Sequence, residues 1–455
     1  MKFLNRGSEI QRIVKSMSGR KARLLVIYGR RRCGKSTLIR RVLRAGDIYF
    51  VAQQSDSALQ RRQLAAVIGE KIPGFDGVQY PDWESLFTNL NNNLRTRIAL
   101  CLDEFPYLAK NDPSLPSLLQ KLIDNMPRRR FHLILCGSSQ QTMQGMALDS
   151  TAPLYGRADE IIKIRPLEAG WLAPALNCSA AQAVEEYAVW GGVPRYWELR
   201  KEEASLAEAI RNLILDRQGV LHEEPMRLFL DDMRESVQAY SIITLVGGGS
   251  NRLSEIAAKL SKPATHFSRP MENLVQLGYI KRDIPFGERE KNSKKGIYRI
   301  GEPFMNFYFS FVAPNISRLE LGLIPQVHSA IEQRFALYVS REWERLCRDS
   351  LPKAPVAGIS FDIASRWWGT GADKKPVEVD LVAESLDKKY LLIGECKWSR
   401  VTDAGRVLDE LRRKAAMLPF VRNREVVPVL FAREVPGKAR DPQIFTPAEV
   451  LQRLK

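Results

Sequence analysis

Residues 23–40 read RLLVIYGRRRCGKSTLIR, and the fold of the first third of the chain follows from them. Leu24 to Tyr28 is a short apolar run of the kind that forms a buried strand. Gly29, four further residues, Gly34, Lys35 and Ser36 then complete a phosphate-binding loop, and STLIRRVL continues with helical spacing. The glycines let backbone N–H groups wrap an anion, and the helix N-terminus adds a favourable dipole. Gly29, Arg30, Arg31, Arg32, Cys33, Gly34, Lys35, Ser36 and Thr37 are therefore the expected cradle for ATP. Lys35 reaches the β- and γ-phosphates, and the Ser36 hydroxyl ligates Mg²⁺.

A loop of this kind needs an acid at the end of another strand. RIALCLDEF (97–105) supplies Asp103 as the second Mg²⁺ ligand and Glu104 as the base that orients water. FHLILCGSS (131–139) is a further strand, and it places Ser138 or Ser139 within reach of the γ-phosphate. FLNRGSEIQRI, the phosphate loop, LDEFPYL, LILCGSS, PLYGRADE and WGGVPRYW, in that order, resemble the archaeal-type ATPases. These are AAA+-like P-loop proteins close to the STAND branch. The resemblance runs through about residues 1–230 and implies a parallel αβα sheet followed by a helical lid carrying GGVPRYW. It also makes Arg157 a candidate for stabilising transferred-phosphate charge, although a structural salt bridge accounts for that arginine equally well.

The 455 residues are too many for one core. A formal charge of +17 favours a polyanionic partner, nucleic acid before a membrane surface. The six cysteines include no CxxC pair, which excludes a zinc-ribbon pattern and fits a reducing cytoplasm. MKFLNRGSEI has no apolar secretory segment, and no run approaches the roughly 18 apolar residues of a membrane span. A cytoplasmic protein with no membrane association is expected.

SNRLSEIAAKLSKPATHFSRPMENLVQLGYIKR (250–282) divides into two short amphipathic helices around SKP. Ser254 is expected to cap the first, Pro270 to kink or delay the second, and Gly278 to end it. YIKRDIPFGEREKNSKKGIYRI then reads as two strands joined by a charged loop, and the order resembles a winged helix. Residues 252–299 carry eleven Lys and Arg against five Asp and Glu, which suits a helix in the major groove and a wing on phosphates. Packing between domains is the alternative use of such a fold. EPFMNFYFSFV (302–312) reads as a buried connecting helix.

Near the end, KKPVEVDLVAE (374–384), a turn and YLLIGECKWSR (390–400) form an expected hairpin. Glu395 and Lys397 are two apart and share a face, with Asp380 on the neighbouring strand. Asp followed fifteen residues later by Glu-x-Lys resembles the PD-(D/E)xK nucleases. That resemblance implies that Asp380 and Glu395 hold Mg²⁺ and that Lys397 steadies the phosphate and its attacking water. Helix 331–351 offers Glu344 as an auxiliary ligand, with Glu342 as the other choice; helix 403–418 and strand 426–432 complete an α-β-β-α-β order. The proline often found before the first acid is absent, since Asp380 follows Val379. Residues 325–455 resemble the domain of unknown function that often ends archaeal-type ATPases.

The expected fold is a multidomain α/β chain: P-loop core 1–165, helical lid 166–235, winged helix and connecting helix 236–322, and nuclease-like α/β domain 323–455. The expected function is ATP binding and hydrolysis coupled to DNA binding, with a Mg²⁺-dependent nuclease-like centre and a place in genome defence or mobile-element biology. Its alternative is a non-cleaving STAND-like ATP switch whose C-terminal domain docks a partner. Homo-oligomerisation is compatible with either.

Overall fold

The structure, a computed structural model, describes residues 4–232, 236–289, 293, 295–421, 423–437 and 441–455. The chain divides into two compact units after Pro166.

The first unit is centred on Asn5–Pro166. Its sheet holds five parallel strands, β1 (Leu24–Tyr28), β2 (Ile48–Val51), β3 (Ile98–Asp103), β4 (Phe131–Gly137) and β5 (Glu160–Lys163), in the order β2-β3-β4-β1-β5. Every residue of β1 and β4 is buried. A parallel strand covered on both faces loses the alternation of a half-exposed one and becomes a continuous apolar run. Leu64, Trp83, Leu86, Phe87 and Leu119 from the flanking helices pack against Leu24, Val26, Leu100 and Leu133. Because the strands are parallel, the loop after β1, Asp103 at the end of β3 and Ser138 after β4 lie along the same carboxyl-end rim, where open α/β sheets bind ligands.

The second unit takes in Leu167–Phe229 and the chain from 236 onward, so the segment read as a lid clusters with the C-terminal chain. Helices Ser236–Gly247, Leu253–Lys259 and Ala264–Gln276 precede a two-stranded antiparallel hairpin, β6 (Ile280–Asp283) and β7 (Ile297–Ile300). The first of the two expected helices begins one residue before Ser254, so that serine is not its cap. Glu255 instead accepts the N–H groups of Asn251 and Arg252 at 3.1 and 3.2 Å. Ala264–Gln276 starts directly after Pro263 and runs unbroken through Pro270, and Gly278, at φ 82°, follows its end. Part of the charged hairpin loop, residues 290–292 and 294, lies outside the described residues. Pro303–Phe307 is helical and buried as expected, continuing through a π-helical turn at Tyr308–Val312.

The C-terminal sheet is mixed and contains two strands more than the sequence suggested. β8 (Ser365–Thr370), β9 (Pro376–Glu384), β10 (Tyr390–Arg400), β11 (Glu425–Glu434) and β12 (Ile444–Phe445) lie in the order β12-β11-β10-β9-β8. β8, β9 and β10 are antiparallel, whereas β11 runs parallel to β10. Helix Ala404–Ala416 makes that parallel crossover and packs Leu408, Leu411 and Ala415 onto Leu391, Ile393 and Leu430. On the opposite side of β10, the long helix Ile324–Ser350 packs Trp343 against Trp398, with ring centroids 5.4 Å apart and planes tilted by 54°.

Candidate functional sites at two strand ends

In the first unit, the phosphate loop is held by close backbone contacts. Gly29 has φ 153°, and a Cβ there would stand 2.2 Å from the Ile164 carbonyl oxygen, so no side chain fits. Gly34 occupies the left-handed region at φ 86° as the helix Lys35–Val42 begins. Arg6, almost fully buried, donates to the Arg165 carbonyl at 2.6 Å and to the Cys33 carbonyl at 3.3 Å, tying the loop to the strand beside it. The Lys35 ammonium is turned back onto the loop and donates to the carbonyls of Gly29 and Arg30, both at 2.9 Å. Thr37 continues the first turn of the helix.

Asp103 lies opposite this loop. The Ser36 hydroxyl donates to Asp103 Oδ2 at 2.8 Å, the Tyr49 hydroxyl donates to the same oxygen, and the Glu104 N–H donates to Oδ1 at 3.0 Å. Burial pushes the Asp103 carboxyl upward, but the donors prevail: the Cys136 thiol, Tyr49, Ser36 and the Glu104 N–H together hold it below the usual carboxylate range. Tyr49, half-buried beside an anion, is pushed up and remains a donor. A hydroxyl and a carboxylate brought together in this way are hard oxygen donors that suit Mg²⁺ beside phosphates.

Glu104 has φ 53°, an uncommon conformation for a non-glycine residue and one that clusters at functional positions. Its carboxylate accepts the Ser138 hydroxyl at 2.8 and 3.1 Å and the Ser138 N–H at 3.4 Å. Ser138 thus orients Glu104, while Ser139 bonds Thr142 in the following helix. Arg157 forms a two-point pair with Asp124 at 2.9–3.1 Å, so of its two expected roles the structural one is occupied in this form.

The C-terminal centre depends on a bulge. Between the pairs Ser365↔Val382 and Trp367↔Val379, β9 advances three residues while β8 advances two. Leu381, Val382 and Ala383 are all buried, as are Leu391 to Gly394 of β10, because both faces of the sheet are covered there. A bulge re-aims side chains and ends regular pairing. β9 and β10 accordingly stop pairing at Gly394↔Leu381. Beyond that point Asp380 Oδ2 accepts the Cys396 N–H at 2.9 Å, where a strand carbonyl would otherwise do so. Burial and the negative charge of Glu395 raise the Asp380 pKa. Glu344 is raised by burial and then by Asp380, so the three carboxylates sense one another. Glu342 is committed elsewhere: it pairs with buried Arg345, which also donates to the Gly301 carbonyl at 2.8 Å.

These carboxylates are compensated by the protein's own cations. Lys397 Nζ lies 2.7 Å from Glu395 Oε1, and Lys414 Nζ, from helix Ala404–Ala416, lies 3.3 Å from Oε2. Burial raises the Glu395 pKa, but Lys397 and Lys414 outweigh that and leave it lowered; the bond to Glu395 raises that of Lys397. Arg348 and Arg366 stand 3.6 and 4.0 Å from Glu344. The oxygen donors suit Mg²⁺ by chemistry, but their arrangement does not. Among the described residues, no three His, Cys, Asp or Glu side chains gather closely enough to hold a metal ion.

Sequence reasoning missed Tyr49, Arg6, Lys414, Arg348 and Arg366. Tyr49, Arg6, Lys414 and Arg366 come from different elements than their partners, with no local spacing to link them, whereas Arg348 stands four residues after Glu344 on one helix, a spacing that could have found it. Among the described residues, no helix is long and apolar enough to cross a membrane.

Residues 3–196 match a family described as an ATPase domain predominantly from Archaea, and residues 308–407 match one described as archaeal and bacterial proteins of unknown function. An uncharacterized protein of Methanocaldococcus jannaschii, MJECL04, is 28% identical over 424 residues, spanning 91% of this chain and 92% of the relative. Among solved structures, the Walker-type ATPase PABY2304 of Pyrococcus abyssi is similar at a TM-score of 0.53 and 18% identity, covering 68% of this chain and 96% of that one. The chain therefore carries an archaeal-type P-loop ATPase domain and, C-terminal to it, a domain of the second family.

Proposed function

We propose that this ATPase is a DNA-binding protein in which nucleotide state governs a winged helix and a nuclease-like C-terminal domain. ATP takes Lys35 from the carbonyls of Gly29 and Arg30, and the lysine then faces the β- and γ-phosphates. Ser36 and Asp103 are the residues that would hold Mg²⁺, whose charge offsets that of the phosphates when it is bound. Glu104, steadied by Ser138, orients the attacking water.

Three helices followed by an antiparallel hairpin support the winged-helix reading. Lys262, just before helix Ala264–Gln276, and Thr265, His266, Ser268 and Arg269 in its first half are exposed, the surface such a fold lays in the major groove. For the C-terminal domain, the observation that carries the PD-(D/E)xK-like reading is the β9 bulge, which sets Asp380 against the Glu395 end of β10. A chance surface Glu–Lys pair on a strand would need no such irregularity in its neighbour. The lysine pairing of Glu395 gives weight to a second reading, a STAND-like switch whose centre binds DNA or a partner without cutting.

Supercoiled plasmid incubated with the full chain, ATP and Mg²⁺ or Mn²⁺ separates the two. Nicking that is lost in Lys397→Ala supports the nuclease; ATP hydrolysis with no nicking under either metal supports the switch.

A further inference from the structure

The carboxyl ends of β1, β3 and β4 carry the nucleotide site, and their amino ends carry a concentration of arginine. The three strands are neighbours in the order β3-β4-β1, so the segments leading into them meet at one end of the sheet. Arg20 and Lys21 precede β1, Arg95 and Arg97 precede β3, and Arg128 and Arg130 precede β4, all six exposed. We propose that this rim is a second nucleic-acid surface, on the ATPase unit itself, that holds the phosphodiester backbone without reading bases. It shares its class of ligand with the proposed function, but the surface is separate from the winged helix and does not depend on that reading.

The rim is cationic because the acids around it are already committed. Asp159 pairs with Arg23, Asp124 with Arg157 and Glu160 with Arg12. Asp47 accepts the N–H groups of Arg44 and Ala99 at 2.6 and 2.7 Å. Arg97 and Arg130 donate to the carbonyls of Gly19 and Leu94 at 3.3 and 2.7 Å, contacts that position each guanidinium and leave its charge uncancelled. Between Arg128 and Arg130, Arg129 is only 4% exposed, and its Nε has no hydrogen-bond partner among the described residues. Burial, then the charges of Arg97 and Arg129, push the pKa of His132 in β4 down to about 4.

Like charges crowded in this way work against the folded state, and a polyanion relieves the repulsion. Neighbouring strands lie about 4.8 Å apart, so the three amino ends span about 10 Å before their side chains extend. A duplex carries one charge per roughly 1.7 Å of its axis, so a rim of that width faces several phosphates. Five of the six exposed cations are arginines, whose planar fork meets phosphate oxygens through two parallel hydrogen bonds. A membrane surface fits less well, since an interfacial segment also inserts an apolar face. None of the exposed large apolar side chains lies in residues 19–23, 94–97 or 127–130. β4 is seven residues long, which sets the rim about 20 Å from the nucleotide end of the sheet.

The test is fluorescence anisotropy of the full chain with a labelled random-sequence duplex of about 30 base pairs, between about 50 and 200 mM salt. Arg20→Gln/Arg95→Gln/Arg128→Gln takes one exposed cation from each strand lead and should weaken binding about 10-fold or more. Each lost phosphate contact lowers the slope of log affinity against log salt by about 0.9, so the slope should become shallower by about 2 to 3. Arg20→Lys/Arg95→Lys/Arg128→Lys should keep most of that slope, and DNA-free ATP hydrolysis should be equal in all three proteins. Equal affinity and slope in wild type and the glutamine variant overturn the inference, as does a full chain that binds no duplex at the lowest salt. Flotation with phosphatidylserine vesicles covers the other polyanion: vesicle binding lost in the glutamine variant, with duplex binding unchanged, overturns it in favour of a membrane. Failure of the winged-helix reading is separately visible, as wild-type duplex binding by Lys262→Gln/Arg269→Gln while the rim variant still loses affinity and slope.

Discussion

Replacing Tyr49 with phenylalanine removes one hydroxyl and keeps the ring, over which the Arg40 guanidinium lies 5.0 Å from the centroid. The lost hydroxyl is one of the donors that hold Asp103 Oδ2, and Asp103 is only 2% exposed. Hydrogen bonds to charged groups contribute about 1.5–3 kcal/mol, and Ser36, Cys136 and the Glu104 N–H remain, so a stability loss near 1.5 kcal/mol is expected. The sign with pH follows from Asp103 being held below the usual carboxylate range. Its contribution is present above that range and lost as pH falls through the lowered value, so the deficit of Tyr49→Phe should be full at neutral pH and shrink in acid. The functional effect is sharper. Partners that orient a metal's ligand typically govern affinity 10- to 100-fold, so the Mg²⁺ concentration for half-maximal ATP hydrolysis should rise about 10-fold. ATP affinity measured without Mg²⁺ should not move. Coincident magnesium titrations for the two proteins would refute the reasoning, as would a loss of metal-free ATP affinity, which would mean that Tyr49 acts through packing of the loop.

Gly29→Ala forces a methyl group onto the Ile164 carbonyl and should abolish ATP binding, measured by calorimetry, while also lowering the melting temperature of the chain. Arg345→Met leaves Glu342 buried without its partner and should cost about 3–5 kcal/mol by urea unfolding. Burial already raises the Glu342 pKa, so that deficit should shrink as pH falls and the carboxyl takes up a proton. Adding Glu342→Leu to Arg345→Met should recover most of the loss, because no uncompensated charge then remains.

The phosphate loop was legible because all its chemistry is local. A strand, a glycine-framed turn, a lysine and a hydroxyl occur within residues 24–36, and backbone geometry alone brings them together. Asp103 and Glu104 were legible for a related reason: a fully buried parallel strand reads as an apolar run, and its end is marked by the first charges. The left-handed turn at Glu104 and its hold by Ser138 were not, since one needs a backbone angle and the other a neighbouring strand. Ser254 was misjudged as a cap because a serine before an apolar run is a common signal, and nothing in the sequence reveals that Glu255 satisfies the N-terminal amides instead.

The C-terminal centre marks the boundary most clearly. Period-2 spacing was enough to put Glu395 and Lys397 on one face of β10, because side-chain alternation is a property of the strand itself. Strict alternation also gave Asp380 a place on β9, but its aim depends on a bulge measured against β8, a strand the sequence reading did not include. How far the carboxylates are compensated was decided in large part by Lys414 and Arg366, which arrive from a helix and a strand remote in sequence from Glu395 and Glu344, while Lys397 and Arg348 lie two and four residues from their partners. Local order thus determined which residues carry charge and which face they share. The pairing of strands and the packing of helices determined which charges meet, because electrostatic partnership depends on distance in space and sequence spacing sets that distance only within one element.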